Sequence, residues 1–155
     1  MDTSLARPRW RFTGTYAFTQ DLLLGLEFNP VADEVNVIGN YIAMRETPTN
    51  PMINFGTSSD RIGSPVGTQC YFVTVSKGFV EARLTAYASI NYSEWERGFN
   101  LPFGVDLALS SEASLLFLND GRRSHLMLNI KRKEVTLGLM WVWFERPGIS
   151  LSWGF

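Results

Sequence analysis

The stretch Gly148-Ile149-Ser150-Leu151-Ser152-Trp153-Gly154-Phe155 decides the fold that this sequence predicts. Its large apolar residues occupy every second position, and glycine or serine stands between them. Successive side chains of a β-strand point to opposite faces, so this pattern predicts a strand with a bulky apolar face and a small polar face. The alternation continues to the last residue, although the ends of soluble domains are usually polar and poorly ordered. We therefore expect this segment to be an ordered part of a β-sheet.

The same alternation recurs along most of the chain. From Val80 to Tyr92 apolar residues occupy every second position, which predicts a strand long enough to cross a bilayer at a tilt. Turn-forming residues such as Lys77-Gly78 and Asp120-Gly121 predict tight reversals between strands. The segment from 46 to 68 lacks the alternation and is predicted to be the longest loop. No helical periodicity interrupts the strands, so the fold class is all-β.

Composition limits the classes of protein to which the chain could belong. Its 155 residues predict a single domain, and 19% of them are charged, below the roughly 25% that is usual in soluble domains. A net charge of -1 gives no basis for binding nucleic acid. Cys70 is the single cysteine, so the chain can form neither an internal disulfide nor a cysteine-based metal site. No spacing of metal ligands and no phosphate-binding loop is found, so we predict no metal and no cofactor.

The edges of the predicted sheet favour closure, because closure alone removes unpaired strand edges. The sequence therefore predicts a closed antiparallel up-and-down β-barrel of about 8–12 strands, with about ten as the best estimate. The last strand would pair with the first, where Trp10, Phe12, Tyr16 and Phe18 form a matching apolar face. Aromatic residues gather near strand ends, and the opposite faces are rich in threonine, serine, asparagine and glycine, which favours a barrel of the membrane type.

The final strand resembles the closing strand of bacterial outer-membrane β-barrel proteins, which ends in an aromatic residue. The resemblance implies that Ile149, Leu151, Trp153 and Phe155 form the signal read by the barrel-insertion machinery, and that the protein lies in the bacterial outer membrane. The loop from Gly56 to Gly63 and the Lys77-Gly78 hairpin are also similar to the YjbH-like porin group of exopolysaccharide-associated barrels. The start of the chain lacks the layout of a signal peptide, so we expect a mature form or a piece of a longer precursor.

Charged residues of the strands are predicted to face the barrel lumen, because arginine near the lipid midplane would cost roughly 2–4 kcal/mol. The predicted lumen-facing residues are Arg11, Glu27, Glu81, Arg83, Asp106 and His125. We interpret them mainly as a network that fills a narrow lumen, with a selectivity lining as the alternative. In the long loop, Asp60 and Arg61 are candidates for a constriction at the mouth, with an ordinary surface ion pair as the alternative.

Three functions are compatible with this pattern. The first is a non-enzymatic outer-membrane barrel that acts as a narrow pore or as a structural or assembly component of the envelope. Its partners would be the lipid bilayer, the insertion machinery and envelope proteins or further copies of the chain. The second is a soluble lipocalin-like barrel that binds an apolar small molecule. The third is an outer-membrane enzyme that uses His125, although a single histidine without a positioned nucleophile is insufficient to define a catalytic site.

Overall fold

A computed structural model describes residues 11–30, 33–60, 64–81 and 83–154. Every regular element in these residues is a β-strand, as the sequence predicts. None of them belongs to a helix that is long and apolar enough to cross a membrane. The twelve strands are β1 (Phe12–Ala17), β2 (Leu22–Asn29), β3 (Glu34–Met44), β4 (Met52–Ser59), β5 (Gln69–Phe79), β6 (Leu84–Ser93), β7 (Gly98–Asn100), β8 (Phe103–Ala108), β9 (Ala113–Asn119), β10 (Ser124–Arg132), β11 (Val135–Val142) and β12 (Arg146–Trp153).

The strands form an antiparallel up-and-down sheet in the order β1-β2-β3-β4-β5-β6-β8-β9-β10-β11-β12, and β7 pairs with β6 beside this path. The antiparallel up-and-down architecture predicted from the sequence is therefore confirmed. The path begins at β1 and ends at β12, and no ladder among the described residues joins these two strands. The closed barrel is thus not observed, and the number of strands is twelve rather than about ten.

The sequence prediction of one long loop from 46 to 68 is wrong for its central part. Strand β4 (Met52–Ser59) lies within it and pairs with β3, with a register shift between Ile42 and Met44. Small residues from Gly56 to Ser59 remove the apolar alternation that identifies the other strands, which is why the strand was missed. A second missed strand, β7, has three residues, too few for any alternation to be recognised.

The reversal predicted at Lys77-Gly78 is also wrong, because β5 continues to Phe79 and the chain turns after it. Val80 and Glu81 adopt positive φ values of 51° and 55°, and the Arg83 amide donates a hydrogen bond to the Val80 carbonyl at 3.0 Å. Two consecutive residues with positive φ make the turn whose twist matches the flanking strands. Val80 and Glu81 occupy positions where glycine is usually favoured, whereas Gly78 lies inside β5. The glycine therefore led to the wrong prediction for the position of the turn.

The chain is divided into two compact units. Unit 1 comprises Met1–Val75 and Ser89–Asn100, and unit 2 comprises Ser76–Ala88 and Leu101–Phe155. In unit 1 the side chain of Phe28 lies on one face of the sheet, together with those of its cross-strand partners Phe12 and Val35. The side chain of Glu27 lies on the other face, together with those of its partners Thr13 and Asn36.

Unit 2 repeats this division between its faces. On one face, Leu128 stands opposite Leu115 and Leu139, and Leu139 stands opposite Ile149. On the other face, Asn129 stands opposite Ser114 and Gly138, and Gly138 stands opposite Ser150. We call these two sides the apolar face and the polar face in each unit.

The backbones of β1 and β2 approach each other closely at Gly25, which allows the register of this strand pair to be tested. A Cβ added at Gly25 would lie 2.1 Å from the Gly14 carbonyl oxygen, whereas a Cβ added at Gly14 would meet nothing within 4 Å. Gly25→Ala should therefore lower the free energy of unfolding by about 1–3 kcal/mol, as overpacking usually does. Gly14→Ala is the matched control and should change it little. Urea midpoints of the refolded protein measure both, and equal midpoints would contradict the register.

Candidate functional site

The distribution of polar and apolar side chains is inverted relative to a water-soluble domain. Among the described residues, the buried hydrophobic ones are Ile38 and Cys70. The buried polar or charged ones are Glu27, Asn29, Glu34, Asn36, Ser59, Asp60, Ser64, Ser76, Ser89, Ser93, Asn100 and His125. Large apolar side chains are exposed instead, with Ile149, Leu151 and Trp153 at 75%, 74% and 70%. A soluble domain buries its aliphatic residues and almost never buries its acids.

Glu27 lies on the polar face of unit 1, opposite Thr13 and Asn36. Its side chain is 3% exposed, and its carboxylate contacts the Arg11 guanidinium at 2.5 Å. The Ser59 hydroxyl of β4 donates a hydrogen bond to the same carboxylate at 2.9 Å. Burial of an ionised carboxylate is costly unless it is paired and hydrogen-bonded, and both conditions are met here.

Glu34 and Asn36 form a second group on this face, at the start of β3. The Asn36 amide donates to Glu34 Oε1 at 2.7 Å, and the Gly67 backbone N–H donates to the same oxygen at 2.6 Å. The Gln69 side chain in turn donates to Asn36 Oδ1 at 3.2 Å. The group ties the segment before β5 to β3 through polar contacts.

Asp60 is buried, and it binds the loop that follows β6. Its carboxylate accepts a hydrogen bond from the Ser93 hydroxyl at 2.6 Å and one from the Trp95 backbone N–H at 3.3 Å. The Glu96 N–H donates to the Ser93 hydroxyl at 3.1 Å. Asp60 thus positions the loop after β6, and it is 4% exposed. Arg61, its predicted partner at a constriction, lies outside the described residues.

His125 occupies the polar face of unit 2, at the start of β10. Its Nε2 lies 3.2 Å from Asp120 Oδ2, and the Arg122 and Arg123 backbone N–H groups donate to Asp120 Oδ1 at 2.9 Å and 2.8 Å. Burial raises the pKa of the Asp120 carboxyl, but the hydrogen bonds from His125, Arg123 and Arg122 outweigh burial and hold this pKa below its usual range. The neighbouring Ser124 hydroxyl accepts a hydrogen bond from Asn119 at 3.0 Å.

Of the other predicted lumen-facing residues, one lies on the polar face and two lie in a turn. Asp106 is partly buried on the polar face of β8, and its Oδ1 has no hydrogen-bond partner among the described residues. Glu81 and Arg83 are exposed and lie in the turn between β5 and β6, outside both strands. Of the predicted signal residues, Ile149, Leu151 and Trp153 lie on the apolar face of β12, and Phe155 lies outside the described residues.

An open groove interrupts the apolar face of unit 1. It has a volume of about 660 Å³, and Gly39 and Gly56 are among its lining residues. Two aromatic pairs border it, Tyr41 with Phe55 at 5.2 Å and Tyr92 with Phe99 at 5.4 Å between ring centroids. Further lining residues are Leu22, Leu24, Asn40, Thr57, Tyr71, Phe72, Val73 and Ile90. Four of these eight are aliphatic, two are aromatic and two are polar.

Sequence reasoning named Glu27, Asp60, Asp106 and His125 but missed Glu34, Asn36, Ser59 and Ser93. The alternation of β3 places Asn36 on the face opposite Val35 and Val37, and this signal was sufficient to identify it as a polar-face residue. Ser59 and Ser93 carried no such signal, because their roles depend on contacts between distant strands. Among the described residues, no three histidine, cysteine, aspartate or glutamate side chains lie close enough together to hold a metal ion.

Comparison with known proteins gives no relative: no family model, no curated protein and no solved structure matches this chain.

The Asp120–His125 contact predicts a pH-dependent stability. The pKa of the Asp120 carboxyl is lower in the folded state than in the unfolded state, so its ionised form stabilises the fold. This stabilisation is fully present at pH values above the unfolded-state pKa of about 3.9, and it is lost as the pH falls through the folded-state pKa. Asp120→Asn keeps an acceptor for both backbone N–H groups, and it should lower the free energy of unfolding by about 1 kcal/mol at pH 7. The difference from the parent protein should vanish near pH 2, measured by urea unfolding.

Glu112→Gln, in the exposed turn after β8, is the control for loss of a surface charge. It should change the free energy of unfolding little at either pH. A difference between Asp120→Asn and the parent protein that stays constant down to pH 2 would contradict the assignment.

Proposed function

We propose that the protein is a non-enzymatic β-sheet protein of the bacterial outer membrane, with its apolar face against lipid and its polar face toward an enclosed interior. The observation that carries this proposal is the inverted burial, in which Glu27 and Glu34 are buried and Ile149 and Leu151 are exposed. Lipid is a favourable environment for exposed apolar side chains, and it favours paired polar groups on the opposite side.

The apolar face would be unfavourable in water because of its extent. Apolar residues continue along neighbouring strands of unit 2 in the row Leu107, Leu115, Leu128, Leu139 and Ile149. Leu107, Leu139 and Ile149 are exposed in this row, and Leu115 and Leu128 are half-buried. Contiguous apolar patches above a few hundred Å² are rare on monomeric soluble proteins and mark surfaces that contact lipid or another protein. The membrane is the partner that would cover such a face on every strand.

The inverted burial argues against a soluble lipocalin-like barrel. A barrel that binds an apolar molecule inside needs an apolar interior, whereas the polar face of unit 1 presents Glu27, Asn36 and Ser59. An enzyme that uses His125 lacks support from the contacts of this residue. Its Nε2 contacts Asp120, and the hydroxyl of the adjacent Ser124 accepts from Asn119 rather than donating to the imidazole. We therefore favour a non-enzymatic role.

Within the envelope, the protein would act as a narrow pore or as a structural or assembly component. The pairing of Glu27 with Arg11 and Ser59, and of Asp60 with Ser93, favours the structural role, because paired side chains fill an interior rather than line a free path. Partners would be the bilayer, the insertion machinery at Ile149, Leu151, Trp153 and Phe155, and envelope proteins or further copies of the chain. No nucleic acid and no cofactor is proposed.

Insertion is tested by refolding the chain into lipid vesicles and comparing two arginine variants. Leu139→Arg places a charge on the apolar face of β11 and should lower the free energy of unfolding in vesicles by roughly 2–4 kcal/mol. Ser150→Arg places the same charge on the polar face of the neighbouring strand and should lower it far less. A protein that stays monomeric in buffer without detergent, with both variants equally stable there, would overturn the proposal.

A further inference from the structure

We infer that the groove on the apolar face of unit 1 is a binding site for one acyl chain of a bilayer phospholipid. This inference rests on the proposed membrane location and adds to it a specific lipid contact. The groove has a volume of about 660 Å³, within the roughly 300–1,000 Å³ range of small-molecule sites. Its position on the face proposed to contact lipid makes the acyl chain the ligand that would reach it directly.

The groove exists because the sheet carries glycine where its neighbours carry large side chains. Gly39 stands opposite Leu24 on β2 and Thr57 on β4, on the apolar face. Gly56 also lines the groove, but it stands opposite Asn40 on the polar face. Gly39 therefore leaves a depression in a surface that large apolar side chains otherwise cover.

The walls suit a flexible hydrocarbon chain. The Tyr41–Phe55 and Tyr92–Phe99 pairs border the groove, and Val73 of β5 contributes aliphatic surface to the lining. Dispersion attraction grows with the number of atoms in contact, so a chain in this depression gains more contacts than one lying on a flat apolar face. Tyr71 also lines the groove, and its hydroxyl donates to Glu94 at 3.1 Å, which marks a polar boundary for the lipid headgroup.

The experiment uses the full chain refolded into phosphatidylcholine vesicles that contain a phospholipid with a diazirine on its acyl chain. After illumination, labelled residues are mapped by mass spectrometry of peptides. Groove residues such as Tyr41, Phe55 and Val73 should be labelled roughly five-fold more than Ile149 and Leu151, which are exposed on the apolar face of unit 2 but lie outside the groove. Free fatty acid that carries the same diazirine, added to buffer, should give no comparable enrichment.

A matched pair of variants tests the shape of the site. Gly39→Leu fills the groove, since its Cβ would meet the flexible Leu24 Cδ2 at 3.1 Å, and it should remove the excess labelling. Gly14→Leu makes the same substitution on the apolar side of β1, opposite Leu26, where a Cβ meets nothing within 4 Å, and it should leave the labelling unchanged. Phe55→Ala removes one aromatic side chain from the border of the groove without filling the groove. It should lower the labelling of Tyr41 and Val73.

The outcomes separate the two proposals. Equal labelling of groove residues and of Ile149 and Leu151, or unchanged labelling in Gly39→Leu, would overturn the acyl-chain site while leaving the membrane location intact. Enrichment by the free fatty acid in the absence of vesicles would overturn the bilayer as the source of the ligand. Absence of lipid labelling from the whole apolar face would overturn the proposed membrane location, and the site with it.

Discussion

The strict alternation of side chains along a strand determines most of what is distinctive about this protein. A single choice of register assigns Phe28 and Val35 to one face and Glu27 and Asn36 to the other. A shift by one residue would exchange the two faces, which would place carboxylates among aliphatic side chains. The buried pairings of Glu27 with Arg11 and Ser59 therefore help to fix the same register that presents the apolar face.

The polar face is organised by hydrogen bonds between segments that are distant in sequence. Ser59 reaches Glu27, and Ser93 reaches Asp60. The buried members of these pairs are serine and carboxylate side chains, so directional contacts take the place of an aliphatic core. Buried polar groups stabilise a structure when they are satisfied and are costly when they are not. The geometry of these contacts consequently restrains the loops after β4 and β6.

Much of the fold could be predicted from sequence because the pattern that identifies it is local. Strands such as β11 and β12 carry a clean alternation, and the apolar face predicted for each is confirmed by the pairing of Leu139 with Ile149. Strand β4 was missed because Gly56 to Ser59 are small. The partners of Ser59 and Ser93 could not be predicted, since a hydroxyl gives no sequence signal for which carboxylate it will meet. The groove likewise becomes visible only when Gly39 is placed opposite Leu24 and Thr57 of the neighbouring strands.

Contact of the apolar face with lipid is tested most directly by an accessibility scan along β11. Spin labels placed one at a time from Val135 to Val142, in vesicles, report collisions with oxygen, which concentrates in lipid, and with a water-soluble nickel complex. We expect oxygen collisions to peak at Leu137, Leu139 and Trp141, and collisions at Thr136, Gly138 and Met140 to be low. Nickel collisions that peak at Leu137, Leu139 and Trp141 would place this face in water and contradict the membrane location.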